Sequence, residues 1–117
     1  MKCIIYHNQK CSKSRETLEL LKSRGLEPII IEYLKISPKV NELEEIITKM
    51  NINPKQLIRF KEDKAKELGI SVNYNLTYKQ FIKILSKNPE LIERPIVVTP
   101  KGSIIGRPPE NVLKVID

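Results

Sequence analysis

The chain is predicted to be an α/β domain: a four-stranded mixed sheet with flanking helices and an inserted helical block at about residues 37–90. Three observations carry this expectation. The first thirty-odd residues read strand, helix, strand; the middle of the chain carries helical periodicity alone; and residues 96–116 read strand, turn, strand, helix. A strand–helix–strand unit of about 30 residues joins parallel strands through a right-handed crossover. Two short strands around Pro100-Lys101-Gly102 are expected to form an antiparallel hairpin instead.

Each element has its own signal. Cys3-Ile4-Ile5-Tyr6 is short, apolar and β-branched, as a buried strand requires. Ser14 to Lys22 is amphipathic and helical, and Arg24-Gly25-Leu26-Glu27-Pro28 stops it, with Gly25 placed to take the left-handed position after a helix. Ile29-Ile30-Ile31-Glu32-Tyr33 is the second strand. Ser37-Pro38 has the chemistry of a helix start, a serine cap followed by proline at the first turn. Val40, Leu43, Ile46, Ile47 and Met50 then share one face, and Asn51 ends the helix. Asn53-Pro54 opens a shorter helix through Leu57 and Ile58, and Glu62 to Leu68 forms another that ends at Gly69. Thr77 and Gln80 have capping-box spacing, ahead of a core stripe of Tyr78, Phe81, Ile82 and Leu85. Ile96–Thr99 and Ser103–Ile105 are the hairpin strands, and Pro109 opens a last helix carrying Val112, Leu113 and Ile116.

At 117 residues the chain is long enough for one domain with a real core, here taken as residues 1–117. No apolar run approaches the roughly 18 residues of a membrane span. The first residues have too short an apolar run for a secretory signal, so the expected address is the cytoplasm, where cysteines stay reduced. Two cysteines and one histidine cannot supply the usual four-ligand zinc set. A net charge of +7 favours anionic partners without choosing among them. Four tyrosines, two phenylalanines and no tryptophan make a thin stacking platform, and no block of five like charges occurs. A nucleic-acid partner is therefore not expected.

The stretch that carries chemistry is His7-Asn8-Gln9-Lys10-Cys11-Ser12-Lys13-Ser14-Arg15, between the first strand and the first helix. A cysteine at a helix start meets unpaired backbone N–H groups and the positive end of the helix dipole. Both favour thiolate over thiol, and Lys10, Lys13 and Arg15 add positive charge. Cys11 is therefore read as a nucleophile, at the carboxyl end of a strand where open α/β sheets place their ligands. Cys3, inside the apolar run, is read as core. Arg59, Arg94 and Arg107 each stand at a junction between elements, from which a planar guanidinium fork can be aimed at an oxyanion. A protonated His7 would stabilise the thiolate; a neutral one could only hydrogen-bond.

These segments resemble the glutaredoxin-dependent arsenate reductases, often called the ArsC family. The resemblance lies in His7-Asn8, Cys11-Ser12-Lys13-Ser14-Arg15-Glu16-Thr17-Leu18, Leu57-Ile58-Arg59, Arg94-Pro95-Ile96-Val97-Val98 and Ile105-Gly106-Arg107-Pro108-Pro109-Glu110. It implies a thioredoxin- or glutaredoxin-like fold with a helical insertion, Cys11 as nucleophile, and Arg59, Arg94 and Arg107 as oxyanion-binding residues. It also implies His7 and Ser14 as thiolate support and a cis peptide before Pro95. The implied activity is arsenic detoxification without a bound cofactor. Cys11 attacks arsenate, glutathione reduces the arsenic and leaves a mixed species on Cys11, and glutaredoxin removes the glutathione, releasing arsenite. One departure is Gln9, where family members commonly have proline.

Two other readings share the fold. The Spx group binds RNA polymerase to regulate transcription, but its sensors typically use Cys-x-x-Cys, whereas Ser14 stands at the second position here. A related thiol oxidoreductase with another substrate is the second.

Overall fold

The computed structural model describes residues 1–71 and 75–117. It divides into two compact units, Met1–Ile36 with Arg94–Asp117, and Ser37–Glu93. Among the described residues no helix is long and apolar enough to cross a membrane.

The first unit holds the sheet. Its strands are β1 (Ile4–Tyr6), β2 (Ile29–Ile31), β3 (Ile96–Thr99) and β4 (Gly102–Ile105), in the spatial order β2-β1-β3-β4. β1 runs parallel to β2, with Ile5 opposite Ile30, and antiparallel to β3, with Ile5 opposite Val97. β3 and β4 form the expected antiparallel hairpin. The connection between β1 and β2 is α1 (Ser12–Ser23), which ends where Gly25 takes a φ of +80°. The final segment is a 3-10 turn, Pro109–Val112, followed by α5 (Leu113–Ile116).

A mixed sheet with a helical connection is what β-branched runs separated by an amphipathic segment should give. Several element ends differ from expectation by one or two residues, and three differences bear on the site and the core. β2 stops at Ile31 rather than Tyr33, because Glu32 O accepts from both Lys35 N and Ile36 N and turns the chain. α1 begins two residues earlier than predicted, so Cys11 itself is the capping residue. The last helix opens with three residues per turn, which shifts its phase. Val112 and Val115 are the residues driven fully inward, while Leu113 and Ile116 are half-buried.

The core of this unit is Cys3, Ile5, Leu21, Val97, Val112 and Val115, with Leu18, Leu20, Leu26, Ile104 and Ile116 packed around it. Cys3 therefore fills core, and burial pushes its thiol above the ordinary value, which keeps it protonated and unreactive.

The second unit contains α2 (Val40–Met50), α3 (Asp63–Glu67), α4 (Tyr78–Lys87) and the 3-10 turns Pro54–Leu57 and Pro89–Leu91. α2 packs on α4 through a core that includes Leu43, Ile46, Ile47, Phe81, Ile82 and Leu85. Asn53 and Thr77 act as N-caps as expected; Gln80 closes the capping box that its spacing predicted, and Gln56 closes a second one that was not anticipated. Ser37 does not cap α2. Its hydroxyl donates to Ser86 O, Ser86 Oγ returns a bond to Pro38 O, and the helix starts at Val40 with Glu42 reaching back to Lys39 N. Tyr78, assigned to the core stripe, is 40% exposed; it sits in the first turn of α4, and only Phe81, Ile82 and Leu85 turn inward.

Leu21 is fully buried between α1 and the sheet core. Leu21→Ala is expected to destabilise the protein by about 2–5 kcal/mol, read as a lower urea midpoint. A loss under about 1 kcal/mol would show that this layer is not tightly packed.

Candidate functional site

Strand register builds the site. Tyr6 of β1 lies opposite Ile96 of β3, and Ile96 lies opposite Ile105 of β4. The segments just beyond these residues, His7 to Cys11, Arg94-Pro95 and Gly106-Arg107, therefore leave the sheet at one end. Gly106 N donates to Pro95 O at 2.9 Å. A Cβ at Gly106 would stand 2.8 Å from Thr17 Oγ1 and 3.0 Å from Pro95 Cγ, so only glycine lets this strand exit press against α1. Both Arg94-Pro95 and Arg107-Pro108 are cis; the first was expected from the resemblance, and the second was not anticipated.

The loop before Cys11 is held by side chains. Asn8 O accepts from Cys11 N at 3.0 Å, and Asn8 Oδ1 accepts from Lys10 N at 3.0 Å, an Asx-turn. Asn8 N donates to Ser14 Oγ at 3.0 Å, and the same oxygen shares a 2.6 Å hydrogen bond with His7 Nδ1. Arg15 Nη1 donates to Gln9 O at 2.9 Å, tying the apex of the loop to the first turn of α1. Asn8 was quoted in the sequence motif without a role. Its position two residues before Lys10 in a strand-to-helix loop is the signal that could have assigned one.

Cys11 is the N-cap of α1, in extended conformation, and makes no side-chain cap bond. Its Sγ lies 3.5 Å from Arg107 Nη2. The other side of that guanidinium is anchored, since Arg107 Nε donates to Arg94 O at 2.8 Å. Arg94 Nε is buried and meets no acceptor among the described residues. A buried donor without a partner carries its full desolvation cost, about 1–3 kcal/mol, unless something else supplies an acceptor. Arg59 belongs to the second unit, where it pairs with Glu62 at 3.3 Å and Glu93 at 3.5 Å, and its N–H donates to Leu91 O. Among the described residues no group of three or more His, Cys, Asp or Glu side chains could hold a metal ion.

Ser14 is fully buried and His7 is 6% exposed. Burial pushes the His7 imidazole below its ordinary value; Glu32 opposes this, Arg15 and Lys22 add to it, and burial wins. His7 is therefore neutral at pH 7 and acts through its hydrogen bond to Ser14 rather than through charge. Its contribution to stability is complete above about pH 6.5 and is lost as pH falls through the lower folded value, because the unfolded chain takes the proton first. Between about pH 8 and about pH 5 the melting temperature of the wild type should fall further than that of His7→Gln. Equal falls would show that His7 carries no proton linkage.

The ArsC family model matches residues 6–115. Arsenate reductase from Haemophilus influenzae is 45% identical, covering 99% of this chain and all of that protein. Arsenate reductase from Escherichia coli is 41% identical over 96% of this chain and 79% of its own length. The solved structure of an arsenate reductase from Vibrio cholerae superposes with a TM-score of 0.94 at 43% identity, covering 99% of this chain and 98% of that one. The four-stranded mixed sheet with its helices is accordingly thioredoxin-like, and the chain belongs to the ArsC family.

Proposed function

We propose that the protein reduces arsenate to arsenite, with Cys11 as nucleophile and glutathione and glutaredoxin as the source of electrons, in a reducing cytoplasm. The observation that carries this reading is the Arg107 guanidinium held 3.5 Å from Cys11 Sγ by the Arg94 carbonyl. A sulfur next to a fixed cation can form a bond to an electrophilic centre whose oxygens the same cation attracts. The curated relatives called arsenate reductase supply the substrate class.

In the first step the Cys11 thiolate bonds to arsenic and one arsenate oxygen leaves as water after protonation. Arg107 meets the dianion beside the sulfur, and the unpartnered Arg94 Nε offers a further donor to its oxygens. Such donors act most where charge grows during attack. In the second step the glutathione sulfur bonds to Cys11 sulfur while the sulfur–arsenic bond breaks. Its electron pair goes to arsenic, which departs as arsenite, one step earlier than the resemblance implies, and Cys11 keeps a mixed disulfide with glutathione. In the third, a glutaredoxin thiolate takes the glutathione by disulfide exchange and returns the Cys11 thiol. The chain suits outside reduction. Its other cysteine, Cys3, is core-packed, and Ser14, three residues after Cys11, cannot form a disulfide.

Arsenate-dependent NADPH oxidation coupled through glutaredoxin tests this. Cys11→Ser is expected to abolish turnover. Arg94→Lys, which keeps the charge and loses the planar fork, should lower it by about 10²-fold. Wild-type turnover in Cys11→Ser would refute the proposal.

A further inference from the structure

We propose that β2, the outer strand of the sheet, pairs antiparallel with β2 of a second copy of this chain about a two-fold axis at Ile30. This pairing requires nothing of the reaction above.

The strand order β2-β1-β3-β4 leaves one side of β2 without a neighbouring strand among the described residues. Pairing with β1 fixes which groups face that side. Ile29 N donates to Cys3 O and His7 N donates to Ile31 O, both at 2.8 Å, so residues 29 and 31 spend their main-chain groups on β1. Main-chain groups alternate in direction along a strand, and those of Pro28, Ile30 and Glu32 therefore point outward. Pro28 O and Glu32 N make no hydrogen bond among the described residues.

The edge is also apolar. Ile29 is 50% exposed and Ile30 46%, and Leu34 and Ile36, in the turn that follows, are exposed as well. Edge strands are commonly guarded by a charged side chain against added strands. The run Ile29-Ile30-Ile31 carries none.

A second copy is selected because the edge matches itself. With Ile30 opposite Ile30, the N–H and C=O groups of that residue bond each other across the axis. Glu32 N then donates to Pro28 O of the second copy, and reciprocally. The remaining position fits too. Proline has no N–H to give, and the oxygen it would face, Glu32 O, already accepts from Lys35 N at 2.9 Å and Ile36 N at 3.0 Å. A missing donor meets a filled acceptor. Sliding the register by two residues one way sets Ile30 O against the Pro28 ring, and the other way sets Ile30 N–H against the filled Glu32 O. The matched register also places Ile29 opposite Ile31, so each pair within the two strands is isoleucine with isoleucine. Pro28 and the turn at Glu32 end the ladder, and a two-fold contact closes on itself. A strand of 3 residues makes a small interface, so the dimer is weak, with a Kd of about 10⁻⁴ M.

Sedimentation equilibrium tests this at about 0.15 M salt, where repulsion between copies of charge +7 is screened beyond about 8 Å. Wild type should pass from mostly monomer to mostly dimer between about 10 µM and about 1 mM. Over that range amide exchange at Ile30 should slow about fourfold, and that at Glu32 with it, while Ile29, already bonded to β1, stays unchanged. Ile30→Lys, which sets like charges opposite each other on the axis, should remain monomeric. With Cys11 replaced by serine, mild oxidation should cross-link Ile30→Cys between copies and leave Ile36→Cys, more exposed but off the axis, uncoupled. A wild type still monomeric at about 1 mM would overturn the second copy and leave the edge to an extended segment of another protein. Self-association undiminished in Ile30→Lys, or slowed exchange confined to other segments, would overturn the edge itself.

Discussion

The site depends on one contact: a guanidinium held against a sulfur. Arg107 is tied at Nε to the Arg94 carbonyl, and this leaves Nη2 facing Cys11. A flexible surface arginine would spend side-chain entropy to reach that position. Here the main chain of a neighbouring strand entrance sets the geometry before any ligand arrives, and donors fixed in advance are the ones that stabilise developing charge most effectively.

The sheet exists, in functional terms, to make that contact. Pairing of Tyr6 with Ile96 and of Ile96 with Ile105 brings three strand ends level, so three short segments distant in sequence meet at one edge of the core. Gly106 is the tight point, since a side chain there would collide with Thr17 on α1. Below it, Ile5, Leu21, Val97 and Val112 are fully buried and hold β1, α1 and the hairpin in register. The loop ahead of Cys11 is rigid for a separate reason: Asn8, Ser14 and Arg15 each tie it to itself or to α1. Gln9 is fixed through its carbonyl, which accepts from Arg15 Nη1.

Much of this could be read from the chain alone, because the signals were local. The β-branched runs, Gly25 after α1, the caps at Asn53 and Thr77, and a cysteine at a strand-to-helix junction all depend on a few adjacent residues, and the structure places each of them as expected. Long-range competition decided the rest. Ser37 had the chemistry of a cap, but Ser86, 49 residues away, took its hydroxyl. The three arginines looked alike as junction residues, yet their partners differ: Arg107 meets a sulfur, Arg94 keeps a buried unpaired donor, and Arg59 is paired with Glu62 and Glu93. The charge state of His7, open in the sequence, follows from its burial outweighing the pull of Glu32.

The most direct test of a sulfur and a guanidinium sharing one oxyanion is protection of Cys11 from alkylation. Iodoacetamide modification of Cys11, followed by mass spectrometry, should slow in wild-type protein as arsenate is added, and arsenate should give little protection in Arg107→Ala. Alkylation at the same rate with and without arsenate, or undiminished protection in Arg107→Ala, would contradict a site built on that contact.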